Sequence, residues 1–301
     1  MLFALCLGWI GVESVHASET TLTSEQFQPP KQSQPSDSEN KSDNLGSEFA
    51  RIAIIMDDIG YNRKAGQYAI AIPGNITFAV IPFTPFGRAL AEEAYFSDKE
   101  VMLHLPMESE NGNKLDTGGI TSLQSKYEVK ARVKNALNEL PFVAGFNNHM
   151  GSLLTTDQKA MQWIMEEVTG TPLYFLDSVT HAESIASDVA QQFDIPNLKR
   201  DIFIDATPTA KSIDAQFNRL IKVAHQNGYA IGIAHPYPAT LKYLAKNLPL
   251  LNQYQVELVS ASALLEFPTE RIATKKTLSN KALIKQLASL PSPKSTRFIL
   301  K

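Results

Sequence analysis

Eight short apolar runs recur between residues 52 and 259, and few contain a charged residue. They are Ile52–Met56, Ile76–Ile81, Val101–Leu103, Phe142–Ala144, Leu173–Leu176, Ile202–Ile204, Tyr229–Ala234 and Val256–Val259. A strand with one wet face alternates apolar and polar residues, whereas an unbroken run is what a strand covered on both faces requires. The stretches between the runs read as helices. Ser125 with Glu128 three residues on forms a capping box, and Val129, Val133, Ala136, Leu137 and Leu140 then line one face. Thr155 and Gln158 are expected to open the next helix, with Met161, Ile164, Met165 and Val168 inward. Ile213, Phe217, Leu220, Ile221 and Ala224 mark a third, closed by Gly228. Repeated strand–helix alternation predicts an α/β domain, either a distorted (β/α) barrel or an open doubly wound sheet.

Polar residues fall at the ends of these runs. The first ends in Asp57-Asp58 and the third in His104, while the fourth leads through Asn147-Asn148 to His149. The later runs end in Asp177-Ser178, Asp205 and His235. In parallel α/β folds the carboxyl ends of the strands form one rim, where active sites collect. Parallel pairing therefore gathers these groups although they lie far apart in sequence. Buried carboxylates need a cation or hydrogen-bond donors to offset their desolvation, which makes Asp57-Asp58 a candidate site. Neighbouring strand residues point to opposite faces, so both serve one site only if the chain turns there, and Gly60 makes such a turn easy. His149 sits in a polar, glycine-containing stretch expected to be a loop. His181 is expected in the loop after Asp177, and His225 suits a helix C-terminus.

Composition limits the chemistry. The chain of 301 residues carries a formal net charge of −3 and no long basic block, so nucleic acid is not an expected partner. Leu2–Val12 is an apolar run of signal-peptide length, with small residues at Val15 and Ala17, although no Lys or Arg precedes it. Cleavage after Ala17 predicts an exported, periplasmic or cell-envelope protein with no stable membrane span in its mature form. The single cysteine, Cys6, lies inside that run. The mature chain then has neither disulfides nor thiolate ligands, and any metal is held by Asp, Glu and His. Residues 1–17 are read as the signal, 18–48 as a polar disordered linker, 49–268 as one domain, and 269–301 as a peripheral tail with a short helical pattern.

The ordered motifs MDDIG (56–60), HLPME (104–108), NNHMGS (147–152), LDS (176–178) and IAHPYP (233–238) resemble the divergent polysaccharide deacetylases, over about residues 51–267. The resemblance implies a distorted (β/α) barrel holding one divalent metal, usually zinc. It implies that Asp58 is a metal ligand, that Asp57 is the general base, and that His235 is the acid protonating the leaving amine. Asp177 and Asp205 are expected to orient side chains around them. Ordinary members carry both histidine ligands on one segment, H-[ST]-x-x-H, and this chain has no such pair. His104 and His149, on different strands, are expected to take those places. The expected substrate is an acetylated glycan, peptidoglycan or another polysaccharide. Rival readings are an inactive envelope factor that binds glycan or protein on the same fold, and a glycosidase pairing Asp57 with Asp177 or Asp205.

Overall fold

The computed structural model describes residues 49–266. The expected signal, the linker and the tail with its helical pattern all lie outside the described residues. In chain order the elements are β1 (Ala50–Ile59), α1 (Arg63–Ile70), β2 (Thr77–Val80), α2 (Gly87–Tyr95), β3 (Glu100–Met107), α3 (Lys126–Glu139), β4 (Val143–Met150) and α4 (Gln158–Val168). There follow β5 (Tyr174–Asp177), α5 (Ala186–Gln192), β6 (Asn197–Lys199), β7 (Ile202–Phe203), α6 (Ala210–Asn227), β8 (Tyr229–Ala234), α7 (Pro238–Asn247) and β9 (Val256–Val259).

Every strand pairing is parallel, and the hydrogen-bonded order is β6-β5-β4-β3-β2-β1-β8-β7, with β9 added to the start of β1. The two ends of this order, β6 and β7, are separated in sequence only by Arg200 and Asp201. The Arg200 amide donates to Asp177 O on β5, and the next amide, Asp201, donates to Ile231 O on β8. One stretch of chain thus bonds to both edges of the sheet and curls it into a distorted (β/α) barrel, as expected.

Strand residues divide by alternation into two cores. Ile52, Ile54, Met56, Phe78, Val80, Leu103 and Phe175 pack outward with the helices. Ala53, Ile55, Ala79, Met102, Leu176, Ile231 and Ile233 form a second cluster inside the barrel. Burial on both sides is why the runs are unbroken.

Local expectations hold at α3, where Ser125 and Glu128 form the capping box, and at α6, where Gly228 takes a left-handed φ of 83°. They fail in four places. The helix after β4 is capped by Asp157, whose carboxylate accepts from the Lys159 and Ala160 amides, while Thr155 lies in a preceding 3-10 turn. The Asn147–Met150 stretch is strand, not loop, and His104 lies within β3 rather than at its end. The polar strand β6 has no apolar run to announce it.

Candidate metal and acid–base site

The inward alternation continues past the apolar core. On β1, Ala53 and Ile55 are followed on the same face by Asp57; on β3, Met102 by His104; on β8, Ile231 and Ile233 by His235. Phe203 is likewise followed by Asp205. On β4, Asn147 stands opposite His104, and His149 lies two residues further on, opposite Pro106. Barrel geometry therefore aims these side chains at one rim.

Asp58 is the exception to alternation. From Met56 to Ile59 the chain takes three steps while its partner strand takes two, so a bulge falls at Asp57-Asp58. Asp58 itself has a left-handed φ of 59°, so the turn is made by the aspartate before Gly60 is reached. Asp tolerates this conformation better than most residues. Two consecutive carboxylates thereby reach the same site.

Three donor atoms converge. Asp58 Oδ1 lies 3.2 Å from His104 Nε2 and 3.0 Å from His149 Nδ1, and the two imidazole nitrogens are 3.0 Å apart. The outer partners decide where the protons sit. Asn147 Nδ2 donates to Asp57 Oδ1 at 2.9 Å, so its carbonyl oxygen faces His104 Nδ1 at 2.7 Å, and that nitrogen carries the hydrogen. His149 Nε2 lies 3.1 Å from Asp116 Oδ2, a carboxylate, and so it too carries the hydrogen. In their neutral forms both imidazoles then point inner lone pairs at each other and at Asp58 Oδ1, a buried oxygen with no other hydrogen-bond donor. Three converging acceptors call for a cation. Ligand atoms around a tetrahedral zinc, each ~2.0–2.1 Å from it, lie ~3.3 Å apart, close to the spacing observed. Two imidazoles oriented by an amide and a carboxylate, with one carboxylate ligand, suit zinc or a similar divalent ion. Asp58, His104 and His149 form such a group, and this donor set fits the metal the resemblance implies.

The remaining groups flank this cluster. Asp57 Oδ2 is 3.6 Å from His104 Nε2, and burial raises the Asp57 pKa against the pull of His104 and His235. Burial resists charge on Asp58, but when the two imidazoles are protonated their hydrogen bonds and charge hold its carboxyl well below the usual range. His235 Nε2 lies 4.0 Å from Asp58 Oδ2. Asp205 holds His235 twice, at the backbone amide (2.7 Å) and at Nδ1 (2.8 Å), and its Oδ2 also accepts from Thr240. Burial opposes charge on His235, yet the Asp205 hydrogen bond and the nearby carboxylates outweigh it and push its pKa up to about 9.

Asp177 takes a different place. It has the outward alternation of Phe175, and its oxygens accept from the Val179 amide and the Ser184 hydroxyl. It braces the loop after β5 and orients no side chain of the cluster. With Asp205 committed to His235 and Asp177 to this loop, neither is free to pair with Asp57 as a glycosidase carboxylate. His181 accepts from the Glu183 amide within the same loop, and His225 bonds Tyr254 O beside the end of α6.

The sequence alone assigns no role to Asn147, Asp116, Tyr61 or Arg200. Tyr61 donates to the second oxygen of Asp116. Arg200 donates to Ser178 O and Val179 O and stacks 3.7 Å over Phe203. Burial lowers its pKa against the attraction of Asp177, Asp201 and Asp57.

Residues 54–265 match the model of a family described as divergent polysaccharide deacetylase. An uncharacterized protein of Escherichia coli K12, YibQ, is 37% identical over 221 residues, which cover 72% of this chain and 68% of that one. An uncharacterized protein of Haemophilus influenzae is 32% identical over 246 residues, 82% of this chain and 85% of that one. The crystal structure of uncharacterized protein ATU2773 from Agrobacterium tumefaciens C58 superposes with a TM-score of 0.70 at 22% identity, over 73% of this chain and 90% of that one, and shares the fold.

Proposed function

The chain belongs to the divergent polysaccharide deacetylase family, and on that premise we propose that it is a metal-dependent hydrolase removing N- or O-acetyl groups from a polysaccharide of the cell envelope. The observation that carries the reading is the convergence of three ligand atoms, from Asp58, His104 and His149, between an acid and a base.

Asp58, His104 and His149 would hold the ion. When bound, it supplies Lewis-acid chemistry, polarising the acyl oxygen and making a water molecule easier to deprotonate. Asp57, kept in place by Asn147 and made more basic by burial, takes the proton of the attacking water. His235, protonated up to about pH 9, gives its proton from Nε2 to the departing nitrogen or oxygen as the carbon–heteroatom bond breaks. Asp205 fixes the ring by binding Nδ1–H and stabilises the charged form. The products are acetate and a free amine or hydroxyl on the sugar, a hydrolysis of carbon–nitrogen bonds other than peptide bonds when the amide is cut.

We place this reaction outside the cytoplasm, in the periplasm or elsewhere in the envelope. The apolar run Leu2–Val12, followed by small residues at Val15 and Ala17, supports that placement. Among the described residues no helix is long and apolar enough to cross a membrane.

The test pairs metal analysis with acetate release. The purified chain is expected to hold near one equivalent of zinc or another divalent ion, which Asp58→Ala loses, and to release acetate from acetylated peptidoglycan or chitin-type oligomers. A metal-loaded chain that releases no acetate from any such substrate would sink the hydrolase reading and favour a binding factor on an inactive fold.

A further inference from the structure

The excursion between β3 and α3, residues 108–125, carries Asp116 to the cluster. We propose that Tyr61 is a positioning residue that acts through Asp116 on His149, and that docking of this excursion and hold on the ion depend on each other. The inference rests on the metal site of the proposed hydrolase and goes beyond it, since neither Tyr61 nor Asp116 takes part in the reaction itself.

A closed circuit of contacts is the first support. The Tyr61 hydroxyl donates to Asp116 Oδ1, and Asp116 Oδ2 meets His149 Nε2 at 3.1 Å. The other nitrogen of that imidazole, Nδ1, stands 3.0 Å from Asp58 Oδ1. Asp58 is separated from Tyr61 in the chain only by Ile59 and Gly60, so the circuit returns to where it began. It joins the turn after β1, the excursion and β4 through the outer face of one candidate ligand.

The mounting of the two ends is the second. Tyr61 stands between fixed points: Gly60 O accepts from the Phe86 amide at 3.0 Å, and the Asn62 side chain caps α1 by accepting from the Ala65 amide at 3.1 Å. Its hydroxyl is a dedicated donor, because the hydrogen bond to Asp116, burial and the carboxylate charge push its pKa up to about 12. By occupying Oδ1 it leaves Oδ2 facing His149. The excursion is pinned away from the cluster. The Ile120 amide donates to Pro106 O and the Glu108 amide to Ile120 O, each at 2.9 Å, and the Glu108 carboxylate accepts from the Ser122 amide and hydroxyl, each at 2.7 Å. On the other arm the Glu110 amide donates to Ser152 Oγ at 3.0 Å. Residues 110–114 are exposed, and Asp116 is the residue that brings the excursion to His149.

The third support is the chemistry of an imidazole held at both nitrogens. A carboxylate on the outer nitrogen raises the basicity of the inner one. Conversely, electron withdrawal through Nδ1 makes Nε2–H a stronger donor to Asp116. A coupling free energy acts equally in both directions. Holding the excursion down therefore tightens the site on the ion, and a filled site holds the excursion down. A carboxylate that swings away once the tyrosine bond is lost loosens both.

The experiment uses the full chain, zinc and two readouts: competition against a zinc indicator for affinity, and hydrogen exchange followed by mass spectrometry for the protection of residues 110–119 with and without zinc. Tyr61→Phe removes only the hydroxyl and is expected to bind zinc about tenfold more weakly, and Asp116→Asn about 10–100-fold more weakly. Tyr68→Phe, at an exposed tyrosine on α1, is expected to bind as the parent does. Zinc is expected to slow exchange across the excursion several-fold in the parent, and less in Tyr61→Phe. A bond that merely braced the loop would leave zinc affinity alone and protect the excursion equally with and without the ion. Tyr61→Phe affinity within about twofold of the parent, or parent exchange that zinc does not change, would overturn the proposal. The parent exchange comparison needs no variant, so it stands even where a variant fails to fold. Either of those results in a parent that binds zinc and releases acetate ends the coupling and leaves the hydrolase. A parent that takes up no zinc ends both.

Discussion

Replacing Asn147 by leucine, which has nearly the same shape, tests the argument about proton placement. In the native site one amide binds Asp57 Oδ1 at 2.9 Å and His104 Nδ1 at 2.7 Å, and all three side chains are buried. Leucine keeps the volume, so no cavity is created, but both partners lose their bond where water does not reach. A hydrogen bond to a charged group contributes ~1.5–3 kcal/mol, and an orphaned buried donor costs ~1–3 kcal/mol. Their sum, about 2.5–6 kcal/mol, corresponds to a fall in Tm of roughly 5–25 °C for a domain of this size. Loss of the outer partner also frees the His104 ring to change tautomer, and changes of this kind lower metal affinity ~10–100-fold. Thermal melts of chelator-treated protein and competition against a zinc indicator read the two effects separately. If Asn147→Leu melts within about 2 °C of the wild type and holds zinc equally tightly, the tautomer argument is wrong.

Other expectations follow from the same geometry. His235 has a folded-state pKa of about 9, above the ~6.5 of a free histidine, so its protonation stabilises the fold fully below pH ~6.5 and this is lost as pH rises through 9. The stability gap between wild type and His235→Gln should therefore shrink across that window, and acetate release should decline as pH passes about 9, at a lower pH in Asp205→Asn. Gly60→Ala should destabilise the fold by more than about 2 kcal/mol in urea titration, because φ is 142° and its Cβ would stand 2.0 Å from Thr84 Oγ1. Asp177→Asn should cost about 1 kcal/mol and leave zinc affinity unchanged in the indicator assay, since its bonds are to Val179 and Ser184.

The sequence exposes the site wherever the barrel imposes a period on it. Asp57, His104, Asp205 and His235 extend the inward alternation of apolar residues, so the run ends name them. Asn147 shares a face with His149, but read as loop residues the pair lost that periodicity; strand pairing with β3 restores it. Asp116 lies in an irregular excursion with no period, and only docking of that loop brings it to His149. β6 is short and partly polar, and it becomes a strand because the edge of β5 is there to bond it. Leu105-Pro106-Met107 extends β3 past His104, and Pro106 obscures that continuation, although its carbonyl still accepts from Ile120.

The candidate ligands come from three separate strands, β1, β3 and β4, at positions 58, 104 and 149. No short segment of this chain carries two of them, so a peptide of a dozen residues has nothing with which to chelate an ion. An unfolded chain would therefore be a poor metal scavenger, its affinity arising together with the closing of the barrel. On the proposed metal reading, occupancy would work as a report of completed folding: the ion would be drawn to the native state almost alone, and by mass action would stabilise that state with little drain to the unfolded one. A chain with both histidines on one helical turn or loop would offer part of its site from the moment of synthesis, and this one withholds it until strands distant in sequence have met.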